Sequence, residues 1–177
     1  MKNFRQGSVA SKLLGILIAL VTIVSIGGAY HISKLSPSRS AELPPTVSSQ
    51  PAHVLWGKLR ALPQWPEWQT GIRAIIPLQQ NAEGIWSWRQ IHVRNEYRGK
   101  LTKASPPDSL SWEILSENGS ERYRCDWALE SKPKDSTLVS LRCEMTVGPV
   151  FKRFQLHHSD DLEKYMQDQM ASLLKGK

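Results

Sequence analysis

The pattern of apolar and polar positions divides the chain into three stretches of different character. From Leu13 to Tyr30 (LLGILIALVTIVSIGGAY) no residue is charged. At ~1.5 Å per residue a helix of this length covers about 27 Å, close to the hydrocarbon thickness of a bilayer. It is apolar on every side, so it lacks the polar stripe of a helix half-buried in a globular core. Residues 31–46 (HISKLSPSRSAELPPT) then turn polar and rich in Ser and Pro, the composition of a tether, with a first edge strand expected near Thr46-Val47. From residue 47 onward the chain alternates short apolar patterns with turn signals, as a folded domain does.

Within that domain, Pro51 to Leu62 places Val54, Leu55, Leu59 and Leu62 on one helical face. Pro63 and Pro66 break this helix, and strands are expected over 71–78, 85–93 and 97–103. The clearest stretch is 109–147. Asn118-Gly119 is a two-residue hairpin signal, because both residues tolerate positive φ. Closing the chain there sets Leu110 opposite Trp127, Trp112 opposite Cys125 and Ile114 opposite Tyr123, with Ser111–Asp126 and Glu113–Arg124 on the other face. A second turn at Pro133-Lys134-Asp135 sets Leu129 opposite Val139, Trp127 opposite Leu141 and Cys125 opposite Cys143. The polar face then pairs Arg124 with Glu144 and Asp126 with Arg142, opposite charges both times. Two independent turns thus give one three-stranded meander. The final segment, 159–175, reads as a helix with acids near its start and an apolar stripe of Leu162, Met166, Met170 and Leu173. Periodicity alone therefore predicts an antiparallel sheet packed on a terminal helix.

Charge changes the picture by where it sits. The chain carries 23 Lys and Arg against 16 Asp and Glu, for a net charge of +7. All the acids lie at Glu42 or later, whereas Lys2, Arg5, Lys12, Lys34 and Arg39 precede it, so the remainder is close to neutral. The basicity is a topology signal and gives a nucleic-acid footprint little support. Lys2, Arg5 and Lys12 before the apolar run favour a cytoplasmic N-terminus and a domain on the far side. The expected organisation is a basic N-terminus (1–12), a transmembrane anchor or signal segment (13–30), a tether (31–46) and the domain (47–177). The expected location is a bacterial inner membrane crossed once, with the domain periplasmic. Cleavage at Gly27-Gly28-Ala29 would instead release it outside.

The order of elements resembles the START-like superfamily, which includes polyketide cyclase/dehydratase-type and lipid-transfer proteins. Val54-Leu55-Trp56 in the first helix and Trp65-Pro66-Glu67-Trp68 after it carry the likeness, with Trp127-Ala128-Leu129-Glu130 and Ser136-Thr137-Leu138-Val139 in the meander. The resemblance implies an α+β helix-grip fold, in which a curved antiparallel sheet holds a long C-terminal helix and the gap between them often takes an apolar ligand.

Leu110, Trp112, Ile114, Tyr123, Cys125, Trp127, Leu141, Cys143 and Met145 are expected to face the helix, and Met166 and Met170 to face them from the helix. They are the candidate wall of a cavity for a lipid, isoprenoid or polyketide-like molecule; the alternative is an ordinary filled core. Trp65 and Trp68 are candidates for the cavity mouth. A cyclase/dehydratase-type enzyme on the same fold would need polar groups in the cavity, with His92, Tyr97, Tyr123 or Glu residues converging there. A ligand-free envelope interaction domain is the third possibility.

Cys125 and Cys143, the only cysteines, can form a cross-strand disulfide in an oxidising compartment or remain two buried thiols. His157-His158-Ser159-Asp160-Asp161 has no partner cluster at ligand spacing, so no metal is expected. Asn118-Gly119-Ser120 matches a glycosylation sequon, but its turn role explains it. No Gly-rich phosphate loop, nucleophile elbow or Cys-x-x-Cys pair occurs, and neither a cofactor nor a catalytic residue is indicated.

Overall fold

The computed structural model describes residues 6–81 and 84–175. Lys2 and Arg5 of the expected basic N-terminus lie outside the described residues. The chain forms two compact units, Met1–Ser36 and Pro37–Lys177.

The first unit is a helix, α1 (Gln6–Lys34). Among the described residues it is the one helix long and apolar enough to cross a membrane, by length and composition. Its apolar side chains from Leu13 to Ile26 have no protein packed around them. Near its end the Lys34 ammonium lies over the Tyr30 ring, 5.2 Å from the centroid.

The second unit begins with a correction to the expected tether. Ser38–Glu42 is a strand, β1, and Thr46–Ser48 a second, β2. Pro44-Pro45 separates them, lacking the N–H donors that would let one strand run through. Helix α2 (Ala52–Arg60), a 3-10 turn (Leu62–Gln64) and the short α3 (Trp65–Trp68) follow. The sheet continues with β3 (Ile72–Asn81), β4 (Gly84–His92), β5 (Glu96–Ser105), β6 (Ser109–Ser116), β7 (Glu121–Lys132) and β8 (Ser136–Val147). Two helices close the chain, α4 (Val150–His158) and α5 (Asp161–Leu174).

All strand pairings are antiparallel, in the order β1-β8-β7-β6-β5-β4-β3, with β2 also on β8. The β6–β7–β8 register is the one derived from the turns and charge pairs, at every position named above. Cys125 and Cys143 stand opposite each other and are joined as a disulfide, with Cα atoms 4.2 Å apart. At the β6–β7 turn Gly119 takes positive φ, +68°, while Asn118 does not.

β1 was hidden because it pairs through its backbone at the sheet edge and needs no apolar alternation. The Ser38 hydroxyl meets that of Thr146 at 2.9 Å. The Arg39 guanidinium donates to the carbonyls of Leu156 and Ser159 and pairs with Glu163, so this residue of the supposed tether fastens both C-terminal helices. Helix α4 was not expected either; among its described side chains only Leu156 is buried, too little for an apolar stripe.

The core lies between the inner face of the sheet and α2, α3 and α5. Leu55, Leu59 and Trp65 pack from one side of the chain, Leu162, Met166, Met170 and Leu173 from the other. Each such fully buried aliphatic side chain contributes ~1.5–3 kcal/mol relative to exposure.

Candidate functional site

Register assigns the inner face of the sheet to rows that cross several strands. One row runs Leu101–Trp112–Cys125–Cys143 and the next Trp88–Gly99–Ile114–Tyr123–Met145, while Gln90–Tyr97–Ser116 lies beyond it towards the β4–β5 turn. The lower part of this face is filled by indoles. Trp65 is fully buried, with its ring 5.4 Å from Trp88 and 4.8 Å from Trp112, and Trp112 lies 6.0 Å from Trp127. Its Nε1–H donates to the Leu59 carbonyl at 3.1 Å.

Trp65 is therefore a core residue and not part of a cavity mouth: Pro63 and Pro66 turn the chain tightly enough to direct its ring inward. Trp68, half-buried, lines a different groove beside Lys58 and Ser172. Leu110, Trp112, Cys125, Trp127, Leu141, Cys143, Met166 and Met170 are close-packed core residues. Of the expected wall, Ile114 and Tyr123 border open space inside the grip, and Met145 borders an adjoining groove shared with Tyr123.

The open space lies beyond the tryptophans. An inner pocket of about 120 Å³ is lined by Gln90, His92, Tyr97, Ile114, Tyr123 and Tyr165. It adjoins a cleft of about 640 Å³ that shares His92 and Tyr97 and extends to Asn118, Glu121 and Lys152. His92, Tyr97 and Tyr123 do converge, as the enzyme alternative requires. Gln90, Tyr165, Glu121 and Lys152 were missed. Gln90 stands two residues before His92 on the same face of one strand, and Tyr165 borders the apolar stripe of α5, so alternation was the available signal.

A hydrogen-bond relay sets the chemistry of His92. The Trp88 Nε1–H donates to Gln90 Oε1 at 3.2 Å. An indole N–H can only donate, so the Gln90 amide has one orientation, and its NH₂ group faces His92 Nε2 at 2.7 Å. Nε2 accepts, which leaves the ring proton on Nδ1. Burial pushes the imidazole below its ordinary pKa. The His92 ring packs edge-on to Tyr97 at 5.1 Å, Tyr97 to Tyr123 at 6.4 Å, and Tyr123 tilts against Tyr165 at 5.6 Å.

All three phenols are held protonated. Burial raises Tyr165, with Tyr97 adding to it. Burial and then the Glu121 carboxylate raise Tyr123. Burial raises Tyr97 against the hydrogen bond from Asn95, whose Nδ2 donates to the phenol oxygen at 3.4 Å. The one ammonium at the cleft, Lys152, is paired with Glu121. The inner pocket thus offers neutral O–H groups and carbon walls and is lined by no Lys or Arg, whereas the outer cleft also carries the exposed Arg94.

The other candidates resolve structurally. Asn118 Oδ1 accepts from the Ser116 hydroxyl at 2.9 Å and from the Ser120 N–H at 3.0 Å, fixing the turn. His158 stacks on Phe154 at 4.2 Å, and no group of three metal-ligating side chains occurs among the described residues.

Comparison with known proteins agrees with this architecture. The family described as polyketide cyclase / dehydrase and lipid transport matches residues 46–175. No curated protein matches by sequence. Among solved structures, the Zhui aromatase/cyclase from Streptomyces sp. R1128 superposes with a TM-score of 0.64 at 13% identity, covering 77% of this chain and 92% of that one. A START superfamily protein from Mycobacterium smegmatis gives 0.54 at 13% identity, covering 77% and 98%. A hypothetical protein from Helicobacter pylori gives 0.58 at 13%, covering 77% and 84%. At these identities the likenesses show the shared helix-grip fold. With its matched region spanning most of the chain, the protein belongs to the polyketide cyclase / dehydrase and lipid transport family.

Proposed function

We propose that this domain binds a neutral, ring-bearing amphipathic small molecule, whose polar end enters the inner pocket while its apolar body lies in the outer cleft, and that α1 anchors the domain to a membrane. The observation that carries the reading is the convergence of three protonated phenols on a largely carbon-walled pocket. Such a pocket suits an uncharged oxygen acceptor such as a carbonyl. At about 120 Å³ it takes a small ring or a few waters, since cavities near 150 Å³ admit benzene. A whole lipid tail inside the grip finds no room among the buried tryptophans. The cleft, at about 640 Å³, falls within the range of ordinary ligand sites.

Binding is favoured over proton-transfer catalysis because the basic lone pair of His92 is engaged by Gln90. A general base must have that lone pair free to meet a substrate proton. For the anchor, the length and apolarity of α1 are the support, with Tyr30, His31 and Lys34 forming an interfacial end.

The chemical class is testable with two probes of one shape. The full chain in detergent is titrated with 2-acetylnaphthalene and with 2-naphthoate, followed by NMR of the tyrosine rings. The ketone is expected to bind at least ~10-fold more tightly, because a carboxylate in the inner pocket would be buried among neutral groups near Glu121, with Arg94 out of the inner pocket in the outer cleft (about 1.4 kcal/mol per decade). Tyr123→Phe should weaken the ketone by roughly 3- to 10-fold, the worth of one neutral hydrogen bond. Equal affinity for the two probes, or an effect of neither, would refute the reading.

A further inference from the structure

The exposed aromatic face of α4 has no role in the fold and none in the pocket. Phe151 is 68% exposed and Phe154 42%, and their i, i+3 spacing puts them on the same side of the helix. The helix (VFKRFQLHH) contains Lys152, Arg153, His157 and His158 and no acid. It is held in place from behind, by Leu156 in the core and by Arg39 on the Leu156 and Ser159 carbonyls. Lys152 is tied to Glu121, which leaves Arg153 and the two histidines as the helix's other basic groups. A fixed helix that displays Phe beside such side chains has the composition of an interfacial helix on an anionic bilayer.

Chain connectivity supplies the second line of support. Only Leu35 and Ser36 separate the last residue of α1 from Pro37, and three residue steps span at most about 11 Å. The Val147 N–H donates to the Pro37 carbonyl at 2.8 Å, and Ser38 pairs with Thr146. From Val147 to Val150, where α4 starts, is again three steps, at most about 11 Å. The chain therefore leaves α1 and enters α4 at the same end of the β1–β8 pair. The β7–β8 turn, at the other end of the 12-residue β8, is roughly 37 Å further along the strand.

We infer that Phe151 and Phe154 enter the headgroup layer of the membrane that α1 spans, so that α4 seats the domain on the bilayer. This rests on the anchoring reading above. Lys152, on the same helix, lines the outer cleft, so seating α4 brings the mouth of that cleft to the lipid surface. A ligand could then pass between bilayer and pocket without crossing water.

The test uses the full chain in nanodiscs containing anionic lipid, one chain per disc. Both native cysteines are in the disulfide, so single introduced cysteines can be labelled selectively with an environment-sensitive fluorophore. Labels are placed by Phe151→Cys, Phe154→Cys, Ile23→Cys in α1, and Glu130→Cys near the β7–β8 turn. With nitroxide lipids labelled near the headgroup, the probes at 151 and 154 should be quenched about two-fold or more, as insertion to 5–10 Å implies. The probe at 130 should be unaffected, and the probe at 23 should respond to deep nitroxides. If 23 responds and 151 and 154 behave like 130, the seating is wrong while the anchor stands. If 23 does not respond either, anchor and seating both fail. A blue shift at 151 without quenching by lipid would mean that protein covers this face, which also overturns the inference.

Discussion

Gly99→Ala is the substitution whose consequence follows most directly from the packing of this domain. A Cβ at Gly99 would lie 2.1, 2.3 and 2.6 Å from three atoms of the Trp88 indole. Ordinary carbon contacts are about 3.5–4.0 Å, so the ring must retreat by roughly 1.5 Å. It has nowhere to go, being fully buried with Trp65 at 5.4 Å on another side. Overpacking of this kind costs about 1–3 kcal/mol. For a domain of this size each kcal/mol shifts the midpoint by about 3 °C, so Tm should fall by roughly 3–10 °C. Displacing Trp88 also breaks its donation to Gln90 and frees the amide that orients His92.

The assay is thermal unfolding of the full chain in detergent, with near-ultraviolet circular dichroism reporting the tryptophans. Gly57→Ala is the control: its Cβ meets nothing within 4 Å on α2, and it should be neutral or slightly stabilising. A double variant with Trp88→Phe should recover part of the loss, with a coupling above about 0.5 kcal/mol. A Gly99→Ala protein as stable as wild type, with an unchanged aromatic spectrum, would refute this account of the core.

Two further outcomes follow from the same structure. Replacing both cysteines by alanine opens a loop of 18 residues in the unfolded chain and should cost about 3 kcal/mol, lowering Tm by roughly 10 °C; an unchanged Tm would mean the bridge contributes nothing. Because His92 is depressed in the fold, the unfolded chain takes up its proton first as the pH falls, so stability is fully retained above the ordinary histidine range and declines below it. The difference in Tm between wild type and His92→Asn should therefore narrow or reverse between pH 7.5 and 5, and parallel curves would contradict the assignment.

What the sequence made legible was the part governed by local turn chemistry and alternation. Asn118-Gly119 and Pro133-Lys134-Asp135 each fixed a register, and Arg124–Glu144 and Asp126–Arg142 agreed with both, so the meander and the Cys125–Cys143 pairing could be written down in advance. Two elements escaped for opposite reasons. β1 carries Ser, Arg, Ser, Ala and Glu, since an edge strand held by backbone bonds needs no apolar face. Helix α4 leaves two phenylalanines outside and so lacks the inward stripe by which helices are recognised.

The pocket escaped because it is assembled from β4, β5, β6, β7 and α5, and no spacing along the chain relates Gln90 to Tyr165. Of the expected wall, the row of Ile114, Tyr123 and Met145 reaches open space, while the rows below it are closed by the Trp65 ring and its neighbours. That ring came from a one-turn helix whose direction was set by Pro63 and Pro66, which composition does not reveal.

The most direct measurement is native mass spectrometry of the full chain, from Met1 onward because a start at Glu42 would remove Arg39 and most of β1, released gently from detergent after expression in a bacterial membrane. Wild type should carry a neutral adduct, and Ile114→Trp, which fills the inner pocket, should carry none while keeping its fold by circular dichroism. An adduct held equally by both proteins, or a wild type bare under conditions that preserve known lipid complexes, would contradict the claim that this pocket holds a ligand.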